Sequence, residues 1–151
     1  MELKELGEFG LIDLIKQDCI ADASTVVVGI GDDAAAIMPT KDMLQLISTD
    51  MLMEGVHFDL SFISPFQLGY KSLAVNLSDI AAMGGIPKQV VVSIALPKQI
   101  EAEFIIDLYR GMKELAHQFG VNIVGGDTVS SLHGIAINVT VIGEVTEQKL
   151  Q

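Results

Sequence analysis

The sequence predicts a mixed α/β layer fold. Three observations carry that expectation. Runs rich in β-branched residues alternate along the chain with longer segments of helical apolar spacing, the pattern of helices laid against a sheet. Half of the 151 residues are apolar and 19% are charged, which excludes a disordered chain and leaves enough apolar surface for a real core. No internal repeat, low-complexity tract or Pro/Gly/Ser-rich linker divides the chain, so residues 1–151 are expected to form one unit.

Each element follows from local chemistry. Residues 8–18 place Phe9, Leu11, Ile12, Leu14 and Ile15 at helical spacing. Residues 25–30 are β-branched and predict a buried strand; residues 43–49, with Leu44, Leu46 and Ile47, predict a second. Ser64 and Pro65 open a long helix, the serine as cap and the proline at the first helical position. It is expected to run to Met83 and to stop at Gly84-Gly85. Its 73–83 stretch is apolar almost all round, which predicts a buried helix. Residues 90–96 form a third strand ended by Pro97, and 101–119 an amphipathic helix ended by Gly120. A short strand over 121–124 and a long alternating one over 135–145 complete the set. The chain stops at Gln151 in a charged tail with no closing helix, as expected of an N-terminal lobe.

Nine Lys or Arg against 20 Asp or Glu give a formal net charge of −11. That balance argues against nucleic acid and against an anionic membrane as partners, since both recruit cationic side chains. It leaves room for anionic substrates if metal ions intervene. Cys19 is the single cysteine, so no intrachain disulfide forms. No apolar run approaches the roughly 18 residues of a membrane span. The first five residues lack a basic stretch followed by an apolar one. The expected location is the reducing cytoplasm.

Four short segments place carboxylates where a core has little use for them. Gly29-Ile30-Gly31-Asp32-Asp33-Ala34-Ala35 follows a strand, and Ser48-Thr49-Asp50 ends the next. Asn76-Leu77-Ser78-Asp79 lies inside the apolar helix, with Asn76 and Asp79 on one face. Gly125-Gly126-Asp127-Thr128 follows the short strand. For each, a turn or cap competes with a hard-cation site. An aspartate inside an apolar helix costs propensity and desolvation, which weights Asp79 towards a cation. Together, Asp32, Asp33, Asp50, Asp79 and Asp127 sit at element ends that could converge. Magnesium suits such oxygen donors, being held by carboxylates plus substrate phosphates. No Walker-type phosphate loop and no dinucleotide fingerprint is present. His57 sits in a loop near Asp50, as either a substrate contact or a surface histidine; His117 and His133 read as structural or solvated, and no zinc spacing occurs.

Those four segments, with Glu54-Gly55-Val56-His57-Phe58 and the continuation Ile80-Ala81-Ala82-Met83-Gly84, resemble the N-terminal domain of thiamine-monophosphate kinase, within the aminoimidazole-ribonucleotide-synthetase-like superfamily. The likeness runs through essentially the whole chain in order and spacing. It implies ATP-dependent, magnesium-assisted phosphorylation of thiamine monophosphate to thiamine diphosphate. It further implies that Asp33, Ser48, Thr49, Asp50, Asp79 and Asp127 hold several magnesium ions, directly or through water. Gly126 and Asp127 would lie against the ATP phosphates, with Tyr109 a further nucleotide contact, and His57 would touch the thiamine phosphate. No side-chain base or nucleophile is implied. The implied fold is a mixed, mainly antiparallel sheet covered by helices, pairing with a second copy into a barrel across a homodimer. The family's C-terminal domain is not within residues 1–151, so this chain is expected to supply one half of the enzyme. Two alternatives stand beside this. One is a non-catalytic dimerising module that binds magnesium nucleotide. The other is a different ATP-dependent member of the superfamily, such as a purine synthetase, selenophosphate synthetase or hydrogenase-maturation protein.

Overall fold

The computed structural model describes residues 1–151. Helix α1 spans Leu3–Ile15 and is kinked at Gly7, whose φ is 70°. It therefore starts earlier than the apolar spacing indicates and ends earlier, before Asp18, whose φ of 58° no helix continues through. A short 3-10 turn, Ala23–Thr25, leads into β1, Val26–Val28, which pairs antiparallel with the two-residue β2, Ala36–Ile37. Then follow β3 (Leu44–Met53), α2 (Pro65–Ala82), β4 (Ile86–Pro97), α3 (Ala102–Phe119), β5 (Asn122–Ser131) and β6 (Ala136–Val145).

The main sheet has the order β3-β6-β4-β5. The β3–β6 and β6–β4 pairs are antiparallel, and β4–β5 is parallel. Parallel neighbours need a crossover, and α3 supplies it. The mixed, mainly antiparallel sheet with covering helices is thus the observed architecture, and it stays open within one chain.

Helices α2 and α3 cover one face. Val90, Val92, Ile94 and Leu96 of β4 alternate inward with Ile137, Val139 and Val141 of β6, and meet Leu73, Leu77 and Ile80 of α2 and Ile105, Leu108 and Met112 of α3 in one core. No helix covers the other face, where Ile47 is 73% and Met51 is 55% exposed. The two helices cross at glycines. A Cβ on Gly69 would overlap the Leu108 carbonyl, and one on Gly111 would overlap the Phe66 carbonyl. Backbone touches backbone in both directions, which fixes α2 against α3.

The N-terminal segment is fastened by one buried amide. Asn122 Oδ1 accepts from the amides of Ala21 and Asp22, at 2.7 Å each. Its Nδ2 donates to the Asp22 carbonyl and to Gln89 Oε1, at 2.8 and 3.0 Å. At the same end of the sheet, towards the β3 edge, Glu144 is 3% exposed and accepts from the amide and hydroxyl of Thr40 and from Gln45 Nε2. Burial alone would raise its pKa, but these hydrogen bonds and the Lys88 charge hold it below the ordinary glutamate value.

Two strands run past their expected ends. β3 pairs residue for residue with β6 from Leu44 opposite Val145 to Met53 opposite Ala136, so Asp50 lies within a strand. Ladder pairing outweighs the low strand propensity of aspartate. β5 continues through Gly125-Gly126-Asp127-Thr128 to Ser131 along β4, with Val124 left over as a bulge. α2 is also less buried than its composition implies. Ser78, Asp79, Ala81 and Ala82 are exposed, because the sheet takes only one side of it. No helix is long and apolar enough to cross a membrane.

Alanine normally exceeds glycine in a helix by about 1 kcal/mol. Gly111→Ala should reverse that and lower the unfolding free energy by about 1–3 kcal/mol through overpacking. A urea midpoint equal to or above that of the parent chain would mean that the helices can move apart freely.

Candidate functional site

α2 lies over β3 so that Asp79 meets the strand. Ser48 Oγ donates to Asp79 Oδ2 at 3.2 Å. Asp50 is two residues further along β3, on the same face, and interacts with the same carboxylate. Partial burial, then a hydrogen bond with Asp79 and its charge, push the Asp50 carboxyl above the ordinary aspartate value. Neither carboxylate forms an ion pair; the five in the chain involve other groups. Asp50 and Asp79 therefore repel one another until a proton or a cation joins them, and the Ser48 hydroxyl adds a third hard oxygen beside Asp79. This donor set fits a magnesium-like ion.

The remaining predicted ligands lie elsewhere. Thr49 points to the opposite face of the sheet, where it donates to the Val139 carbonyl at 3.3 Å and accepts from Asn138 Nδ2 at 3.0 Å. Asp127 belongs to that open face too. It pairs in register with Ser93, which pairs with Asn138, which pairs with Met51. These four line a shallow cavity of about 130 Å³ with Ile94, Ala95, Val129 and Ala136. Asp32 and Asp33 are exposed in the loop between β1 and β2, and the Asp33 amide donates to Asp32 Oδ1 at 2.9 Å. No cluster of three His, Cys, Asp or Glu side chains able to hold a metal forms within the chain. The structure thus unites Ser48, Asp50 and Asp79, and leaves Asp33, Thr49 and Asp127 apart from them.

Three further residues change character. Gly126 has a φ of 153°, and a Cβ there would overlap the Val92 carbonyl, so the close approach of β4 already demands glycine. Tyr109 is a core residue, 4% exposed, whose phenol burial pushes its pKa up. Packing in the core accounts for its position. The buried polar residues of α2 are Ser72 and Asn76, not Asp79; Asn76 is the one with an unpaired atom. Its Nδ2 donates to the Ser72 carbonyl at 3.0 Å, and its Oδ1 has no partner.

His57 is placed by its own loop. Its Nδ1 accepts from the Met53 amide at 2.8 Å, and its carbonyl accepts from Lys71 Nζ at 2.8 Å. Sequence reasoning passed over Lys71, and also Asn138 and Thr140. The last two were legible as polar positions alternating with Ile137, Val139 and Val141 along β6. Lys71 carried no local signal, because its partner is a carbonyl 14 residues away.

Residues 31–145 match the family model described as AIR synthase related protein, N-terminal domain. The chain is 46% identical over 140 residues to the thiamine-monophosphate kinase of Bacillus subtilis, covering 93% of this chain and 43% of that protein. It is 42% identical over 144 residues to that of Aquifex aeolicus, covering 95% and 44%. The chain therefore spans less than half the length of the curated relatives it matches. Among solved structures, the thiamine-monophosphate kinase of Stenotrophomonas maltophilia superposes with a TM-score of 0.82 at 35% identity, covering 96% of this chain and 44% of that one. AaThiL complexed with AMPPCP and TMP gives 0.67 at 38%, with the same coverage. The hydrogenase maturation protein HypE in complex with ATP gives 0.73 at 22%, covering 95% and 42%, a likeness of fold alone.

The raised Asp50 pKa has a sign. The folded state binds that proton more tightly, so the repulsion costs stability as pH rises through the folded pKa and vanishes in acid. In chelator at neutral pH, Asp79→Asn should therefore melt no lower than the parent chain. With magnesium added, the melting temperature of the parent should climb, since an ion at 100 times its Kd stabilises by about 2.7 kcal/mol. The variant should not follow. Equal magnesium-dependent shifts would remove Asp79 from the cation site.

Proposed function

The chain belongs to the AIR synthase related protein family, as its N-terminal domain, and on that premise we propose that it is the ATP- and magnesium-binding half of a cytoplasmic thiamine-monophosphate kinase. The observation that carries the proposal is sustained identity to thiamine-monophosphate kinases over nearly the whole chain. The AMPPCP and TMP of the AaThiL complex stand for the two reactants. AMPPCP is a non-cleavable form of ATP.

Phosphoryl transfer asks for positioning and charge neutralisation more than for covalent chemistry. The nucleophile is an oxygen of the acceptor's own phosphate, ionised near neutral pH, so no side-chain base is needed. Magnesium bound here would neutralise charge between two anionic reactants. Ser48 and Asp50 of β3 and Asp79 of α2 would hold it on the helix side of the sheet. Gly125 leaves backbone uncovered beside Asp127, on the face where Thr49 also lies. His57 offers a ring N–H to the thiamine phosphate. Asp33, Thr49 and Asp127 stand apart from that trio, Thr49 and Asp127 on the open face of the sheet, where a second copy of the chain would cover them.

The dimer reading is supported by the uncovered sheet face. Ile47, Met51 and Val129 are exposed there, and an open four-stranded sheet has edges to complete. Pairing two such faces would enclose the polar row of Asp127, Ser93 and Asn138 in a barrel. Met51→Lys should hold the chain as a monomer in sedimentation experiments. A dimer that tolerates the charge would place the interface elsewhere.

The direct test is calorimetric titration of the chain with AMPPCP, in magnesium and then in chelator. Magnesium-dependent binding is the expected result. In a chain joined to the second lobe, Asp50→Asn should lower turnover of thiamine monophosphate about 100-fold at limiting magnesium, the scale for losing one charge-stabilising group. Magnesium-independent nucleotide binding, or undiminished turnover, would contradict the assignment.

A further inference from the structure

Residues 20–43 cross one end of the uncovered sheet face as a strap. Gln89 adjoins Val90 and Gln45 adjoins Leu46, and both apolar neighbours pack into the helix-side core. Strand alternation therefore turns the two glutamines to the open face. Asn122 pairs with Gln89 and Glu144 with Gln45, so all four strands offer a polar side chain there. Asn122 and Gln89 tie the start of the strap. Besides the Asn122 bonds to Ala21 and Asp22, Gln89 Nε2 donates to Thr25 Oγ1 at 2.8 Å. Glu144 ties its end, accepting from the amide and hydroxyl of Thr40 at 2.7 and 2.6 Å. The anchoring side chains are buried.

Between these ties the strap is loosely held. β1 and β2, three and two residues long, form a sheet of their own and join no strand of the main one. A lone two-stranded hairpin is marginally stable at best in water. No residue from 20 to 43 is buried. A cavity of about 280 Å³ lies at the hairpin root, lined by Val26, Gly29 and Ile30 and by Lys16, Cys19 and Ile20 of the preceding segment. Packing therefore does not hold the root down. Gly31 turns the tip with a φ of 117°, and no atom lies within 4 Å of where its Cβ would be. The amides of residues 29–32 donate to no backbone group. A run of free amides beside Asp32 and Asp33 suits a magnesium-bound polyphosphate.

We propose that residues 26–37 are a lid that shuts on bound magnesium nucleotide, and that Glu144 is the positioning residue that fixes the lid's trailing root through Thr40. The ligand rests on the nucleotide reading above; the two ties and the loose hairpin between them do not. The ties sit on the main sheet and the hairpin strands do not belong to it, so the lid opens while the sheet stays folded. Weakening the Glu144 tie makes the closed form a smaller fraction of the free chain. The apparent nucleotide affinity then falls by the same fraction.

The test is amide hydrogen exchange of the chain, free and with magnesium AMPPCP, beside calorimetry with the same ligand. In the free chain the amides of residues 26–28 and 36–38 should exchange faster than those of β6. Magnesium AMPPCP at 100 times its Kd should slow them by up to about 100-fold. Thr40→Val keeps the amide bond to Glu144 and removes the hydroxyl one. It should speed exchange at residues 36–38 and weaken AMPPCP binding, each by about 10- to 100-fold, the scale of a hydrogen bond to a charged group. Exchange in β6 should not change, and Thr40→Ser should restore the parent values. A tie with a structural role alone would leave nucleotide affinity as it was, so an affinity unchanged by Thr40→Val overturns the role of Glu144. Hairpin amides as slow as β6 in the free chain, or AMPPCP binding that leaves their exchange unaltered, overturn the lid and leave the nucleotide reading standing. Failure of AMPPCP to bind in the calorimeter contradicts that reading and the lid together.

Discussion

Where α2 lies determines nearly everything else. It crosses α3 at Gly69 and Gly111, where each helix backbone rests on the other's carbonyls. Any side chain there would push the helices apart. α3 in turn is held by the β4–α3–β5 crossover, whose strands pair in parallel. The position of α2 over β3 is therefore inherited from the sheet through two glycines. One end of that helix carries Lys71 over the His57 loop, and the other carries Asp79 over Ser48. The Lys71–His57 contact and the Ser48–Asp79 contact are thus spaced by one helix.

The charge distribution follows the same logic. Asp50 and Asp79 share a face, and burial, then the hydrogen bond with Asp79 and its charge, raise the Asp50 pKa. Glu144 shows the alternative within the same chain. It is more deeply buried, yet it has three donors, and its pKa falls. One carboxylate is saturated by protein donors and acts as a structural tie. The other pair has one protein donor between them, the Ser48 hydroxyl on Asp79, and perturbed carboxylates of this kind are more frequent at functional sites than elsewhere. Asn76, buried with a bare Oδ1 beside this helix face, belongs to the same under-satisfied region.

Much of this was legible in the residues. Ser64-Pro65 and Gly84 mark the limits of α2 to within two residues, because caps and left-handed glycines are local signals. The alternation of residues 135–145 gives β6 almost to the residue. Less legible were β3 and β5, which carry aspartates and glycines through their centres. Their pairing with β6 and β4 is long-range and leaves no periodic trace. The four acidic segments were found as a set, but which of them meet was not. Ser48 and Asp50 face the helix while Thr49, between them, faces the other way, a consequence of strand alternation once β3 extends past residue 49. Asp79 was singled out for the right helix and the wrong reason, since it is exposed and Asn76 is the buried residue. Lys71 was invisible because its significance lies in a tertiary contact with a backbone carbonyl.

The central claim is that α2 and β3 assemble a divalent-cation site from Ser48, Asp50 and Asp79. It is tested most directly by replacing magnesium with manganese and recording paramagnetic broadening of the backbone amide resonances at substoichiometric metal. The account predicts that the amides of Ser48, Asp50 and Asp79 broaden first and together, and that excess magnesium reverses the effect. Broadening confined to the Asp32-Asp33 loop, or spread evenly over the acidic surface, would contradict it.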